Sequence, residues 1–336
     1  DLDLFVGAGC IPGRYPTSAG NIILRNNLDK KTGRFDFTDV TSSIAGNVLF
    51  KAGMVNDAVW ADLNGDGWQD IVLAGDWMPV MIFQSDKGKS FAAVKSLDKT
   101  NGFWHKLLAA DLDGDGDLDI AAGNLGANTQ YRTSVDQPLI TYTGDFNDDG
   151  KIDPVMTWYT QNISYPFNSR DEMVEQMTFL NKKFIRYADY AKATIKEILS
   201  EPQIAAANKL MVYNTKSCLF INNGGSFECK PLPPEAQFSI VNSMLFRDYN
   251  GDGKKDLLLA GNFFPFRVQQ GRCDAGIGSL LLGDDRGNFS TVARMETGLY
   301  VPGDVRDMVE LKGIKRNLIV VSRNNDKAQV IGLRQQ

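Results

Sequence analysis

The segment Ala110-Asp-Leu-Asp-Gly-Asp-Gly-Asp-Leu-Asp119-Ile-Ala-Ala-Gly-Asn124 packs five aspartates into nine residues, then runs into an apolar stretch. Three other segments align with it without gaps. They are Ala61-Asp-Leu-Asn-Gly-Asp-Gly-Trp-Gln-Asp70-Ile-Val-Leu-Ala-Gly75, Gly144-Asp-Phe-Asn-Asp-Asp-Gly-Lys-Ile-Asp153-Pro-Val-Met-Thr-Trp158 and Arg247-Asp-Tyr-Asn-Gly-Asp-Gly-Lys-Lys-Asp256-Leu-Leu-Leu-Ala-Gly261. Asp1-Leu-Asp3-Leu-Phe-Val-Gly7 matches the second half of the unit. A degenerate sixth copy, Val301 to Asp307 with Asn317 to Val321, keeps the strands and loses the acidic loop. A short apolar strand enters each acidic loop (Ala58–Trp60, Leu107–Ala110, Leu139–Tyr142, Met244–Phe246), and a second apolar strand leaves it. Hairpins read at 21–38, 80–94, 216–230 and 279–292 complete four strands per unit. A repeat of roughly 50 residues with four strands predicts an all-β chain, a β-propeller of about six blades. The second strand, apolar throughout, suits a strand buried on both faces.

The loop spacing is Asp-x-[Asp/Asn]-x-Asp-Gly-x-x-Asp. Alternate positions put oxygen ligands on one side of a tight turn. The glycine permits the bend, position seven can offer its carbonyl, and the last Asp closes the site. The candidate ligands are Asp62, Asn64, Asp66, Trp68 and Asp70; Asp111, Asp113, Asp115, Asp117 and Asp119; Asp145, Asn147, Asp149, Lys151 and Asp153; and Asp248, Asn250, Asp252, Lys254 and Asp256. All-oxygen donors without His or Cys suit Ca²⁺, bound structurally at about four sites. An EF-hand would need Glu at position twelve, where Leu73, Ala122, Met156 and Leu259 stand. The alternative is an Asp/Asn/Gly turn without metal, but clustered carboxylates repel one another unless a cation offsets them. The loop at 111–119, with Asp at position three, should bind tightest.

Charge and composition narrow the function. Among 336 residues, 36 Lys and Arg face 41 Asp and Glu. Outside the acidic loops the bases outnumber the acids, so a calcium-loaded surface would be mildly basic without a basic stripe. General nucleic-acid binding is not expected. His105, the single histidine, excludes a His-rich metal centre and reads as a packed surface residue. No apolar run is long enough to span a bilayer as a helix. The chain opens at Asp1 inside a repeat unit and reads as a piece of a longer polypeptide. Cys218 and Cys229 flank an Asn223-Gly224 turn that would set them opposite each other, as a disulfide or as two free thiols.

These residues resemble the FG-GAP/VCBS repeats of integrin α-chain propellers and bacterial surface proteins. Val6–Pro16, Tyr165–Glu172, Tyr187–Ala191 and Pro302–Arg306 are similar to the VCBS-repeat proteins of Bacteroidetes associated with ASPIC/UnbV domains. The resemblance implies a secreted or cell-surface propeller, often of seven blades, with calcium between the first two strands of a blade. Names attached to the ASPIC/UnbV group also suggest nucleic acid, against which the charge distribution argues.

Residues 160–210 break the repeat. Ser169 to Glu172 is a capping box, and Met173, Met177, Leu180, Phe184, Tyr187, Ala191, Ile195 and Ile198 recur at helical spacing until Pro202. Such a helical insertion on the face opposite the acidic loops would be a lid or a structural pad. That face also collects Trp77, Trp158 with Tyr159, Phe264 among neighbouring aromatics, and the loops of Arg14 and Arg272. These would suit a sugar or peptide ligand, or wedge between blades. The expected function is a calcium-stabilised extracellular binding or scaffold module for a protein or glycan partner, an outer-membrane transport complex among them. The alternative is a polysaccharide-active enzyme.

Overall fold

The structure is a computed structural model that describes residues 2–267, 270–314 and 316–333. Asp1 of the opening repeat half lies outside them. The chain is mostly β, and its described residues form six antiparallel sheets. The first is Leu4–Val6, Ile22–Asn26 and Phe37–Asp39. The second is Met54–Ala61, Asp70–Met78, Met81–Asp86 and Ser90–Ser96, with Gly102–Phe103 added at one end. The third joins Lys106–Ala110 and Asp119–Gly123 to Cys218–Asn223 and Ser226–Pro231. The fourth holds Val241–Arg247, Asp256–Gly261, Ser279–Gly283 and Phe289–Thr291. The fifth holds Val305–Leu311, Leu318–Arg323 and Gln329–Gly332.

These five sheets pack in series through shared apolar layers. Ile23 and Leu49 meet Ile71 and Phe83 between the first and second. Val72 and Ile82 meet Ile120 and Phe220 between the second and third. Ala121 and Leu219 meet Leu257 and Leu281 between the third and fourth, and Leu258 meets Ile319 between the fourth and fifth. The second strands are buried on both sides, as their continuous apolar sequence requires. Their terminal glycines allow close approach. A Cβ on Gly75 would lie 1.9 Å from the Met54 carbonyl oxygen, and one on Gly261 1.8 Å from that of Ile240.

The third acidic loop does not head a consecutive unit. Its strands, Leu139–Gly144 and Asp153–Thr160, pair with Ile163–Pro166 and Asn208–Val212 in a separate four-stranded sheet. That nested sheet lies wholly between Gly123 and Cys218 of the third sheet. The 216–230 hairpin therefore belongs to the unit of Asp111–Asp119, and the insertion begins well before residue 160. The helical part is five short helices, Arg170–Gln176, Leu180–Lys183, Tyr187–Tyr190, Ile195–Ile198 and Glu201–Ala206, rather than one or two long ones. Three capping boxes, at Ser169, Thr194 and Ser200, restart the helix. Pro202 sits in the first turn of the last helix, where its missing N–H costs nothing, and so does not end the helical stretch. Met173, Met177 and Leu180 are buried against Ile140 and Val155 of the nested sheet, while Tyr187 and Ala191 face outward.

The Cys218 hairpin is also shifted by one residue. Its turn is Gly224-Gly225, both with positive φ, because a two-residue turn of this hand needs left-handed backbone at both positions. Phe220 is consequently opposite Cys229, and Cys218 is opposite Pro231. Both cysteines are free thiols, Cys218 buried and Cys229 exposed.

Candidate functional site

The four acidic loops share one internal hydrogen-bond pattern. The first Asp accepts at both oxygens from backbone N–H groups further round the turn: Asp62 from Asp66 (3.1 Å) and Gly67 (2.8 Å), Asp145 from Asp149 (3.0 Å) and Gly150 (2.8 Å). Asp111 and Asp248 do the same toward Gly114, Gly116, Gly251 and Gly253. Position three, Asn64, Asp113, Asn147 or Asn250, accepts from the N–H of position five. Position five, Asp66, Asp115, Asp149 or Asp252, accepts from the N–H of Trp68, Asp117, Lys151 or Lys254.

Position nine is buried and ties the loop to its sheet. Asp70 accepts from Leu63 N (3.2 Å) and Ser85 N (2.8 Å), and Asp119 from Leu112 N (2.8 Å) and Asn222 N (2.7 Å). Asp256 repeats this with Tyr249 and Gly283, while Asp153 of the nested sheet takes Phe146 N. The carboxylates of Asp111, Asp113 and Asp115 bring one oxygen each to within 4.8 Å of one another. Burial, then the charges of Asp115 and Asp111, push the Asp113 carboxyl above its ordinary range. Three gathered hard oxygens fit a divalent cation such as Ca²⁺.

A second candidate site was visible in the sequence only as a face collecting aromatic and arginine residues, Trp77 among them. Between the nested sheet and the serial sheets lies a cavity of about 500 Å³. Tyr15 enters from the first sheet's loop, Asp76 and Trp77 from the second sheet, His105 from the third, and Phe263 and Arg267 from the fourth. Thr141, Pro154, Met156 and Asn168 of the nested segment form the opposite wall. Trp77 is buried with φ of 62°, a left-handed conformation rare for a bulky residue. Its indole donates to the Tyr15 hydroxyl at 2.6 Å. Edge contacts continue the wall from Trp77 to Phe103 (5.0 Å) and from Tyr131 to Phe266 (6.4 Å).

The polar floor is Asp76 and His105, with Oδ1 and Nε2 3.9 Å apart. Burial pushes the Asp76 carboxyl up to about 6, against a hydrogen bond from Asn56 that works to lower it. Burial, helped by the charge of Arg306, pushes His105 down to about 4. Both side chains remain partly open onto the cavity. Near neutral pH the pair is thus a carboxylate beside an uncharged imidazole.

Of the aromatic and arginine residues expected on this face, Trp77 lines the cavity. Arg272 lies over the Phe264 ring (5.2 Å) and lines an adjoining pocket of about 310 Å³. Trp158 stacks edge-on against Phe167 (5.2 Å) without lining the cavity. Tyr159 and Arg14 lie outside it, Arg14 exposed to solvent. Sequence reasoning did not place Asp76 or His105 at a cavity. The signal was positional: Asp76 follows Gly75 as Asn124 follows Gly123 and Asn262 follows Gly261.

Among the described residues no helix is long and apolar enough to cross a membrane. No curated protein matches the chain. Among solved structures, an Agrocybe aegerita lectin that recognises non-reducing terminal N-acetylglucosamine is 17% identical. The match covers 99% of this chain and 79% of that one, with a TM-score of 0.30. The V. cholerae biofilm matrix protein Bap1 is 14% identical over 90% of this chain and 40% of that one, with a TM-score of 0.28. Neither likeness is close enough to establish a shared fold. Residues 62–122, from the acidic loop of the second sheet to the buried strand of the third, match the model of the FG-GAP-like repeat.

Proposed function

We propose that this chain is a calcium-stabilised β-propeller that serves as a binding or scaffold module at the cell surface. Its five serial sheets act as blades, and the face bearing the nested segment holds a protein or glycan partner. An outer-membrane transport complex is a partner of that kind. One observation carries the reading: loops from four different sheets and a whole inserted segment converge on one aromatic-walled cavity. Such concave sites, mostly apolar with a few converging polar groups, are where proteins hold ligands. In the second, third and fourth sheets the acidic loops lie at the other ends of the strands and would hold the sheets, whereas the acidic loop of the nested sheet ends at Asp153, beside the cavity-lining Pro154. Bound calcium would supply the positive charge that offsets their carboxylates, and the loop N–H groups keep those carboxylates oriented.

The Asp76–His105 pair favours an enzymatic reading, but the cavity's composition counts against hydrolysis of a glycan. Acid–base cleavage of a glycosidic bond ordinarily uses two carboxyl groups some 5–10 Å apart. Asp76 is the sole acid among the described lining residues. Calorimetric titration with oligosaccharides and peptides tests the binding reading. Binding that is lost in Trp77→Ala, while calcium-dependent melting is kept, supports it. A partner held equally well by Trp77→Ala and by a chain lacking the nested segment would move the binding face elsewhere.

A further inference from the structure

We infer that the cavity takes an organic ammonium group, a cation carried on an apolar body, with Asp76 as its counter-ion. This rests on the cavity being the ligand site. The argument begins with the repeat. In the third and fourth sheets the residue after the strand-ending glycine is Asn124 or Asn262, each almost fully buried. Their amides are used up by the fold. Asn124 donates to Asn214 O (3.0 Å) and accepts from Phe103 N (3.0 Å); Asn262 donates to Gly276 O (2.7 Å) and Gly303 O (2.8 Å). The second sheet puts a carboxylate at this position instead. Asp76 opens onto the cavity, with Asn56 donating to it at 3.1 Å. The architecture accepts Asn here, so the negative charge is a departure from the repeat that the fold does not require.

The surrounding charges make Asp76 the one that awaits a partner. Arg267, the cation lining the cavity, is paired with Glu172 and lies over the Phe167 ring (5.3 Å). Arg306, whose charge reaches His105, is paired with Asp304 (3.0 Å) and lies over Phe263 (5.5 Å). The groups beside Asp76 are the amide of Asn56 and the uncharged imidazole of His105. Tyr15, Trp77 and Phe103 line the cavity with it, and aromatic rings attract ammonium ions at their faces.

Choline and its neutral isostere dimethylbutanol test this by calorimetric titration of the full chain in calcium. Choline should bind at least about tenfold more tightly than the isostere, the equivalent of about 1.4 kcal/mol. Asp76→Asn should erase that preference and Asp76→Glu should retain it. Calcium-dependent melting of each variant confirms that it is folded. Equal binding of the two probes, no binding of choline, or a preference that survives Asp76→Asn overturns the inference. If choline fails while an oligosaccharide or peptide binds in a Trp77-dependent way, the ligand class falls and the binding site stands. Once choline binds, displacement by Nα-acetyl-lysine methylamide assigns the ammonium to a protein side chain, and its failure to displace assigns it to a free amine; either result keeps the proposal.

Discussion

Asp76 carries a charge at the repeat position where Asn124 and Asn262 stand, and it sits beside His105. His105 has a lowered pKa, so the unfolded chain binds the extra proton, and stability contributed by the neutral ring is lost as pH falls from about 6.5 toward 4. Asp76 has a raised pKa, so its sign is opposite: the native state binds the extra proton, and stability is lost as pH rises from about 3.8 toward 6. The two effects offset each other across mildly acid pH and conceal both groups in the wild-type profile. Asp76→Asn should therefore stabilise the protein at pH 7 by on the order of 1 kcal/mol and do nothing at pH 3, as chemical denaturation at the two pH values will show. A destabilised Asp76→Asn at pH 7 would mean that the carboxylate is structural. The one signal in the sequence was the departure of Asp76 from Asn124 and Asn262 at the same repeat position; its pairing with His105 was not legible, because the two residues are distant in the chain. The acidic loops are the reverse case, since each is complete within nine residues and so could be read directly. Their ranking follows the carboxylate count: Asp111→Ala should cost more calcium affinity than Asp145→Ala, measured by titrating each single variant. Equal losses would remove the charge argument.

At the scale of the element, periodicity identified strands and buried helix faces but not which strand a hairpin joins. The 216–230 hairpin was legible as a hairpin, yet its partner, Asp119–Gly123, is nearly a hundred residues earlier. Nothing local distinguishes it from a continuation of Asp153–Thr160. Turn chemistry failed in a similar way, because Asn223-Gly224 and Gly224-Gly225 are both good two-residue turns and only the strand register separates them. The nesting has a mechanical consequence. The ends of the insertion are held together, Gly126 N donating to Thr215 O at 2.7 Å and Asn124 N to Ser217 Oγ at 3.0 Å. Insertions with adjacent ends are tolerated by the fold that hosts them. Replacing 127–213 with a short Gly/Ser linker should leave calcium-dependent melting of the serial sheets in place and abolish ligand binding, since it removes one cavity wall. Removing only 169–200 should instead unfold the nested sheet, because it strips Met173, Met177 and Leu180 from Ile140 and Val155. Limited proteolysis of the two variants distinguishes these outcomes. A linker variant that cannot fold would show that the serial sheets depend on the insertion.

For the whole molecule, the all-β character and the recurring strand–loop–strand unit were legible because one pattern repeats with its loop chemistry intact. The arrangement was not, because nesting depends on long-range pairing that leaves the local pattern unchanged. What joins the levels is the buried Asp at the ninth loop position. Asp70, Asp119 and Asp256 each bind their own loop and the third strand of the same sheet, so the charge state of a loop is coupled to the integrity of its sheet. A cation that gathers the loop carboxylates should therefore stabilise the molecule globally. A ligand that binds only the native state contributes about 2.7 kcal/mol per site at a concentration 100 times its dissociation constant. The most direct measurement is the thermal melting of the full chain by calorimetry in millimolar calcium and again in EGTA. The account predicts a large fall in Tm on chelation, reversed by adding calcium back in excess. An identical Tm in both, with elemental analysis finding no calcium in the protein, would contradict it.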